Sequence, residues 1–394
     1  MNKKILLVSN AYFPSIGGIE NSLRHLAQEA IKNNDEVKII VSDIGVDIKS
    51  NNRFKETIDG IEVERYPLKV FQSFFLRWMN LILSNYRCYK ILRDEYKKRP
   101  DAIVIARFHF TAVLSYWAGF KCIRYLVPSV VANQLAVETE GNLIQSLKNK
   151  AKICFHNIVQ KHALVKCKNF VFSRTMMKQC IDLAHNNIEH YKITKPGVDF
   201  NRFYPLPHEN KNKVRERLGL PIDVPIVLFV GRFVKAKGVE LLIDALTRTN
   251  SQYHLVLVGE GGEVNNYQKQ IELNNITANV TIASVTKQVE DYYQAADVFA
   301  MSSNYEPLGQ TILEAFASGL PVIAFKRSDV VDTATQELDM DKYITYAENY
   351  NCDDLALAID NIFLKLHLLS REECSNQAKS KFSWFQLYSV LIKE

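Results

Sequence analysis

The feature that most constrains this chain is a repeated pattern. Short runs rich in Val and Ile, each followed by a helix-length segment, occur in two successive series. Runs that are apolar at nearly every position are how strands covered on both faces of a parallel sheet read. The first series is Lys4 to Ser9, Glu36 to Val41, Ala102 to Ala106, Ser129 to Ala132 and Asn169 to Ser173. The second is Ile226 to Val230, His254 to Val258, Val280 to Ala283, Val298 to Met301 and Pro321 to Ala324. Parallel strands need crossover helices, so each series is expected to wind into one α/β domain. Lys195 to Pro207, with three Pro and one Gly, reads as the linker, and 394 residues leave room for two cores. The expected domains are 1–198, joined by a closing helix at about 380–394, and 199–379. A cleft between two such domains is a favoured ligand site.

Charge is shared unevenly between the halves. Residues 1–198 hold 30 Lys/Arg against 17 Asp/Glu, net +13, whereas 199–394 hold 19 against 26, net −7. The first half is therefore expected to meet something anionic. Nucleic acid is set aside because no recognisable binding module is present. Seven Cys form no C-x-x-C and are widely scattered, which argues against a disulfide framework or a structural zinc site and for a reducing cytoplasm. The N-terminus has the basic flank of a signal peptide, but its apolar run spans only Ile5 to Val8 and reads as a first strand. No stretch approaches the roughly 18 apolar residues of a membrane span, so membrane contact is expected to be peripheral, at the inner face of the plasma membrane. Phe71 to Arg99 suits it, with Phe71, Phe74, Phe75, Trp78, Leu81 and Ile82 near helical spacing and Lys97, Lys98 and Arg99 at its end. The same pattern also fits a core-packed helix with a solvated basic end. Lys148 to Lys168 adds six Lys and tilts the reading toward a membrane or a lipid-diphosphate acceptor.

Familiar nucleotide fingerprints are absent: Val264 breaks a dinucleotide pattern begun at Gly259, and Ala236 breaks a Walker spacing from Gly231. The most informative segment is Ser302 to Ala324, S-S-N-Y-E-P-L-G-Q-T-I-L-E-A-F-A-S-G-L-P-V-I-A, where seven residues separate Glu306 from Glu314. A helix starting near Leu308 would aim the N–H groups of Gly309, Gln310 and Thr311, and its positive dipole end, at a phosphate. Glu314, two turns in, would lean toward the same ligand. A second cluster is Val230-Gly231-Arg232-Phe233-Val234-Lys235-Ala236-Lys237-Gly238, between a strand and the helix Val239 to Leu246. Arg232 and Lys237 bracket a short loop, so both cations can reach one pyrophosphate, although a basic loop alone is most often solvated surface. Gly17-Gly18 after the first strand, and Gly259-Glu260-Gly261-Gly262 after a strand of the second series, are turns that bring backbone close to a ligand or merely reverse the chain.

Together these strings resemble the signature of the retaining family-4 glycosyltransferases, which have the GT-B fold of two Rossmann-like doubly wound domains facing each other across a cleft. The resemblance covers most of the chain and is strongest in its second half. It implies that Glu306 contacts the sugar of a nucleotide diphosphate sugar donor. Leu308 to Thr311 would hold sugar and diphosphate, and Glu314 the ribose. Arg232 and Lys237 match the family's G-R-x-x-x-x-K-G motif and are expected to stabilise the leaving diphosphate. Gly17 and Gly18 match its P-x-x-G-G loop, and Gly259 and Glu260 its V-G-x-G turn beside the nucleoside. Tyr293-Gln294-Ala295-Ala296-Asp297-Val298 and Phe382-Ser383-Trp384 also look like this family, whose last helix crosses back onto the first domain.

The activity this resemblance implies is retaining transfer from a UDP-sugar to a carbohydrate or lipid-linked hydroxyl in bacterial cell-surface polysaccharide or lipopolysaccharide synthesis. No carboxylate pair of the glycosidase kind is evident, which favours front-face displacement, with fixed cations in place of a metal and no cofactor. Two departures stand out. Val130-Val131-Ala132-Asn133-Gln134 lacks the His that many relatives carry at a strand end near the sugar, leaving His109 as the nearest acceptor-side candidate, although a lone His among aromatics is more often structural. Phe325-Lys326-Arg327-Ser328 stands where relatives often have Gly-Gly. The missing His motivates the alternative of a catalytically silent nucleotide-sugar-binding subunit of an assembly complex. A sugar-nucleotide epimerase on the same fold is disfavoured by the Glu306 to Glu314 string.

Overall fold

A computed structural model describes residues 2–15, 17–46, 54–68, 77–132 and 143–393. The chain divides into two units, Met1–Pro196 with Trp384–Glu394, and Gly197–Ser383. In the first, strands β1 (Lys4–Val8), β2 (Glu36–Ser42), β3 (Phe54–Ile58), β4 (Ile61–Tyr66), β5 (Ile103–Ala106), β6 (Ile123–Leu126), β7 (Lys168–Val171) and β8 (Tyr191–Ile193) form one sheet in the order β3-β4-β2-β1-β5-β6-β7-β8. All its pairings are parallel except β3 with β4. Its helices include α1 (Gly18–Lys32), α2 (Arg77–Lys98), α3 (His109–Ala118), α4 (Leu143–Lys166) and α5 (Arg174–Ala184).

Two departures from the sequence pattern have electrostatic causes. The strand expected at Ser129 to Ala132 is instead β6, six residues earlier, where Arg124 interrupts the apolar run. Its buried guanidinium donates to Leu391 O and Lys393 O at 3.3 and 3.4 Å. β4 reads I-E-V-E-R-Y because its charges are internally paired: Glu64 and Lys38, both almost fully buried, meet at 2.6 Å. The β3–β4 turn is Asp59-Gly60, with φ of 50° and 78°, the left-handed pair that a two-residue hairpin demands.

The second unit carries β9 (Ile226–Val230), β10 (His254–Val258), β11 (Val280–Ala283), β12 (Val298–Met301), β14 (Val322–Phe325) and β16 (Ile344–Ala347) in a six-stranded parallel sheet ordered β11-β10-β9-β12-β14-β16. A two-stranded parallel pair, β13 (Tyr305–Glu306) with β15 (Asp332–Thr333), stands apart from it. Alternation along β9 feeds two cores. Ile226 and Leu228 join Phe299, Leu313 and Phe316 on one face, while Val227 and Phe229 join Leu242, Leu257 and Ile359 on the other. Helices α6 (His208–Leu218), α7 (Val239–Leu246), α8 (Val264–Leu273), α9 (Val289–Ala295), α10 (Gln310–Ala317), α11 (Cys352–Lys365) and α12 (Arg371–Lys381) belong to this unit.

The last helix, α13 (Trp384–Ile392), returns to the first unit as expected. Trp384 stacks on His25 at 4.9 Å, Tyr388 Oη donates to Asp35 Oδ2 at 2.6 Å, and Lys3 Nζ donates to Ile392 O at 2.7 Å. Cations at the carboxyl end of a helix also complement its dipole.

Asp297, which opens β12, clamps the second unit. Its carboxylate takes an ion pair from Lys211, one from Arg215 at 2.5 Å and the N–H of Ile226 at 2.7 Å. Removing one member of so enclosed a set strands the remaining charges. Asp297→Ala is therefore expected to lose about 3 to 5 kcal/mol of unfolding free energy by urea titration. A loss below about 1 kcal/mol would contradict the clamp.

Candidate functional site

β9 ends at Val230, and the chain continues through Gly231 and Arg232 into a short 3₁₀ turn, Lys235–Lys237, before α7. Phe233 anchors this loop: it is wholly buried, with its ring edge-on to Tyr267 at 5.5 Å. Phe233 N donates to Glu260 O at 2.7 Å and Gly231 N to Val258 O at 3.0 Å, which ties the loop to the turn after β10. A Cβ on Gly259 would lie 1.9 Å from Gly231 O, so only glycine admits this approach. Glu260 is exposed on that turn.

The same loop is tied to the segment after β12. Ser302 Oγ donates to Lys237 O at 2.7 Å, and Asn304 N donates to Ala236 O at 3.1 Å. Gly238 turns at φ 59°, where a Cβ would meet Ser302 O at 2.3 Å. These links set Lys237 against Glu306 in an ion pair whose side chains are 17% and 16% exposed. An ammonium has three donors, so Lys237 can hold Glu306 and still offer N–H to an anion. Arg232 is exposed on the same loop. Glu306 is fixed from behind by β15 and by Ala334 N, which donates to Glu306 O at 3.0 Å.

The helix expected from about Leu308 begins at Gln310, because Gly309 before it is extended, at φ −78° and ψ 129°. Leu308 packs on the core beneath. Gly309 supplies no side-chain cap, so the first-turn N–H groups of α10 gain no side-chain acceptor from that position. The Gln310 amide donates to Gly197 O at 2.9 Å, and Thr311 O accepts from Tyr293 Oη at 3.3 Å. Tyr293 also donates to Glu314 Oε2 at 2.9 Å. Burial is the main influence on the Glu314 carboxyl and pushes it up to about 7, against the smaller opposing pulls of Tyr293 and Arg202. Glu306 and Glu314 thus have different settings: one is held by a cation, the other is half-buried and hydrogen-bonded to a phenol. Tyr293 stands in the Tyr293-to-Val298 string, whose sequence marks the residue but not its bond to Glu314.

In the first unit, Gly17 precedes α1 in extended conformation and supplies no side-chain cap, and Gly18 is the first helical residue. The Glu20 carboxylate lies over this start, so close that a Cβ on Gly17 would be 2.5 Å from Glu20 Oε2. An acid therefore already occupies the approach that the sequence assigned to an anion. His109 opens α3 but is only 2% exposed. Its Nε2 is 2.9 Å from His156 Nδ1, and burial, followed by the neighbouring His156, pushes its pKa down to about 3. This neutral, enclosed imidazole packs among Phe108, Phe110 and His156, the structural setting that a lone His among aromatics more often has.

Residues 210–381 match the model of the family described as glycosyl transferases group 1. The chain carries a group 1 glycosyl transferase domain. The chain is similar to the GDP-mannose-dependent alpha-mannosyltransferase of Mycobacterium tuberculosis, at 26% identity over 82% of this chain and 78% of the relative. It is also similar to the lipopolysaccharide core biosynthesis glycosyltransferase LpsE of Rhizobium meliloti, at 40% identity over 28% of this chain and 32% of the relative, a match to about a third of that protein. Its fold is that of sucrose-phosphate synthase from Thermosynechococcus elongatus, with a TM-score of 0.77 and 19% identity over 99% of this chain and 97% of the other. Residues 210–381 thus match the group 1 glycosyl transferases, and the chain has the GT-B fold of its structural neighbours.

The Glu314 setting has a measurable consequence. Between its ordinary value of 4.5 and about 7, the folded chain holds a proton that the unfolded chain has lost, so this group lowers stability as pH rises through that window. Glu314→Gln cannot ionise. Its unfolding free energy is expected to gain on wild type between pH 4.5 and 8, by up to about 3 kcal/mol at 1.36 kcal/mol per pH unit. Parallel pH profiles in urea titrations would contradict a raised Glu314 carboxyl.

Proposed function

We propose that the chain transfers a glycosyl group from a nucleoside diphosphate sugar, a UDP-sugar in the first instance, to an acceptor hydroxyl with retention of anomeric configuration. The observation that carries this reading is the convergence of Arg232, the Lys237–Glu306 pair and the uncapped start of α10 on linked loops of one unit. In this reading Arg232, Lys237 and the α10 N–H groups receive the diphosphate and stabilise the charge that builds on it as the glycosyl bond breaks. Glu306 contacts the transferred sugar, and Glu314 takes the ribose hydroxyls through its carboxyl. The leaving phosphate accepts the acceptor proton, so no metal or cofactor is needed. The acceptor is a carbohydrate or lipid-linked glycan of cell-surface polysaccharide or lipopolysaccharide, a reading supported by the likeness to LpsE. Its place is the cytoplasm, with peripheral contact to an anionic membrane through the first unit.

The buried His109 favours a second reading, a nucleotide-sugar-binding subunit without turnover. Donor hydrolysis or transfer by the purified chain separates the two. A screen of nucleoside diphosphate sugars by thermal shift, followed by turnover of the best donor, tests the proposal. Arg232→Ala and Lys237→Ala are each expected to lower turnover by about a hundredfold while leaving the fold intact. Unchanged kinetics in both would overturn the diphosphate assignment. Chelator is expected to leave turnover unchanged, and loss to EDTA with recovery in Mn²⁺ would overturn the metal-free mechanism.

A further inference from the structure

The first unit carries an apolar face that its core leaves open. Between α3 and α4 lies a groove of ≈ 570 Å³ walled by Phe110, Leu114, Trp117, Phe155, Ile158 and Val165. Trp117 is 57% exposed and Ile158 64%. A contiguous patch of this kind marks an interaction surface. Its charge is one-sided as well: the 24 residues of α4 contain no acid. Lys150, Lys161 and Lys166 are exposed along it, Lys166 with its ammonium over the Tyr116 ring at 5.6 Å.

We propose that this α3–α4 face docks on an anionic lipid bilayer, with hydrocarbon chains entering the groove, Trp117 at the headgroup level and the lysines on anionic headgroups. The inference rests on the membrane-associated acceptor in the functional reading above and names the surface that meets it. Two properties on the same face favour a bilayer over a protein: aromatic side chains with polar edges beside long-stemmed cations, and an acid-free helix that presents no anion to repel lipid phosphate.

The basic end of α2, singled out from the sequence, is a weaker candidate. Arg99 pairs with Glu36 at 2.8 Å, and Lys98 with Glu95 at 3.5 Å, so those charges are partly engaged within the fold. Cys88, Ile91 and Leu92 of α2 are buried in the core. The aromatic residues Phe71, Phe74 and Phe75 lie outside the described residues.

The test is co-sedimentation of the full chain with vesicles of phosphatidylcholine alone or with phosphatidylglycerol, alongside quenching of tryptophan fluorescence by brominated acyl chains. The expected result is binding to the anionic vesicles that falls as salt rises, with quenching that is lost in Trp117→Phe. Ile158→Asp should weaken binding tenfold or more, and each of Lys150→Gln, Lys161→Gln and Lys166→Gln about fivefold. Leu273→Asp, on an exposed site of the second unit, should change nothing. Equal binding to both vesicle types, no binding to either, or Ile158→Asp behaving as wild type would overturn the proposal. So would light scattering that shows a dimer dissolved by Ile158→Asp, because the face would then be a contact between copies. Calorimetric binding of uridine diphosphate, read on the same samples, separates failure of the docking surface from failure of the donor reading: it should be the same in wild type and Ile158→Asp.

Discussion

A parallel sheet covered on both faces can present chemistry only where its strands end, since helices occupy the rest of its surface. The second unit is built on this constraint. β9, β10 and β12 all run in one direction, so the loops that follow them leave from one edge. Gly231 to Lys237, Gly259 to Gly262 and Ser302 to Gly309 therefore meet although far apart in sequence. Their main-chain bonds to one another hold Lys237 beside Glu306 before any ligand is considered. Such positioning is what electrostatic catalysis requires, because a cation already in place needs no reorganisation as charge develops.

The strength of the frame shows in what it tolerates. A buried acid costs free energy unless it is paired or protonated, and this unit uses both solutions. Asp297 is paired from two sides and joins α6 to the start of β9 and β12. Glu314, raised to about 7 by burial, sits where it can remain protonated and hydrogen-bonded to Tyr293. The first acid holds the scaffold together. The second keeps an electrostatically costly position on the helix that follows Glu306.

The second unit was largely legible because its strands obey one rule. Ile226 to Val230 and His254 to Val258 are apolar at almost every position and fold as read. The first unit was less legible where charge is buried within strands. Arg124 hides β6, because its guanidinium serves carbonyls of α13 that are distant in sequence. Glu62, Glu64 and Arg65 hide β4, whose partner Lys38 lies on another strand. Asp59-Gly60 was a turn signal in plain view, and reading it would have found the β3–β4 hairpin. At the site, residue types and spacing pointed to Arg232, Lys237, Glu306 and Glu314. Spacing alone carried no information on the Lys237–Glu306 pair, on Glu20 over Gly17, or on the His156 partner of His109, since each depends on tertiary contact.

The most direct measurement is a crystal structure of the full chain with a nucleoside diphosphate sugar bound. The account predicts the diphosphate within hydrogen-bonding reach of Lys237 Nζ and the first-turn N–H groups of α10, with the sugar against Glu306 and the ribose against Glu314. A diphosphate bound away from the loops after β9 and β12, with Lys237 and Glu306 untouched, would contradict it.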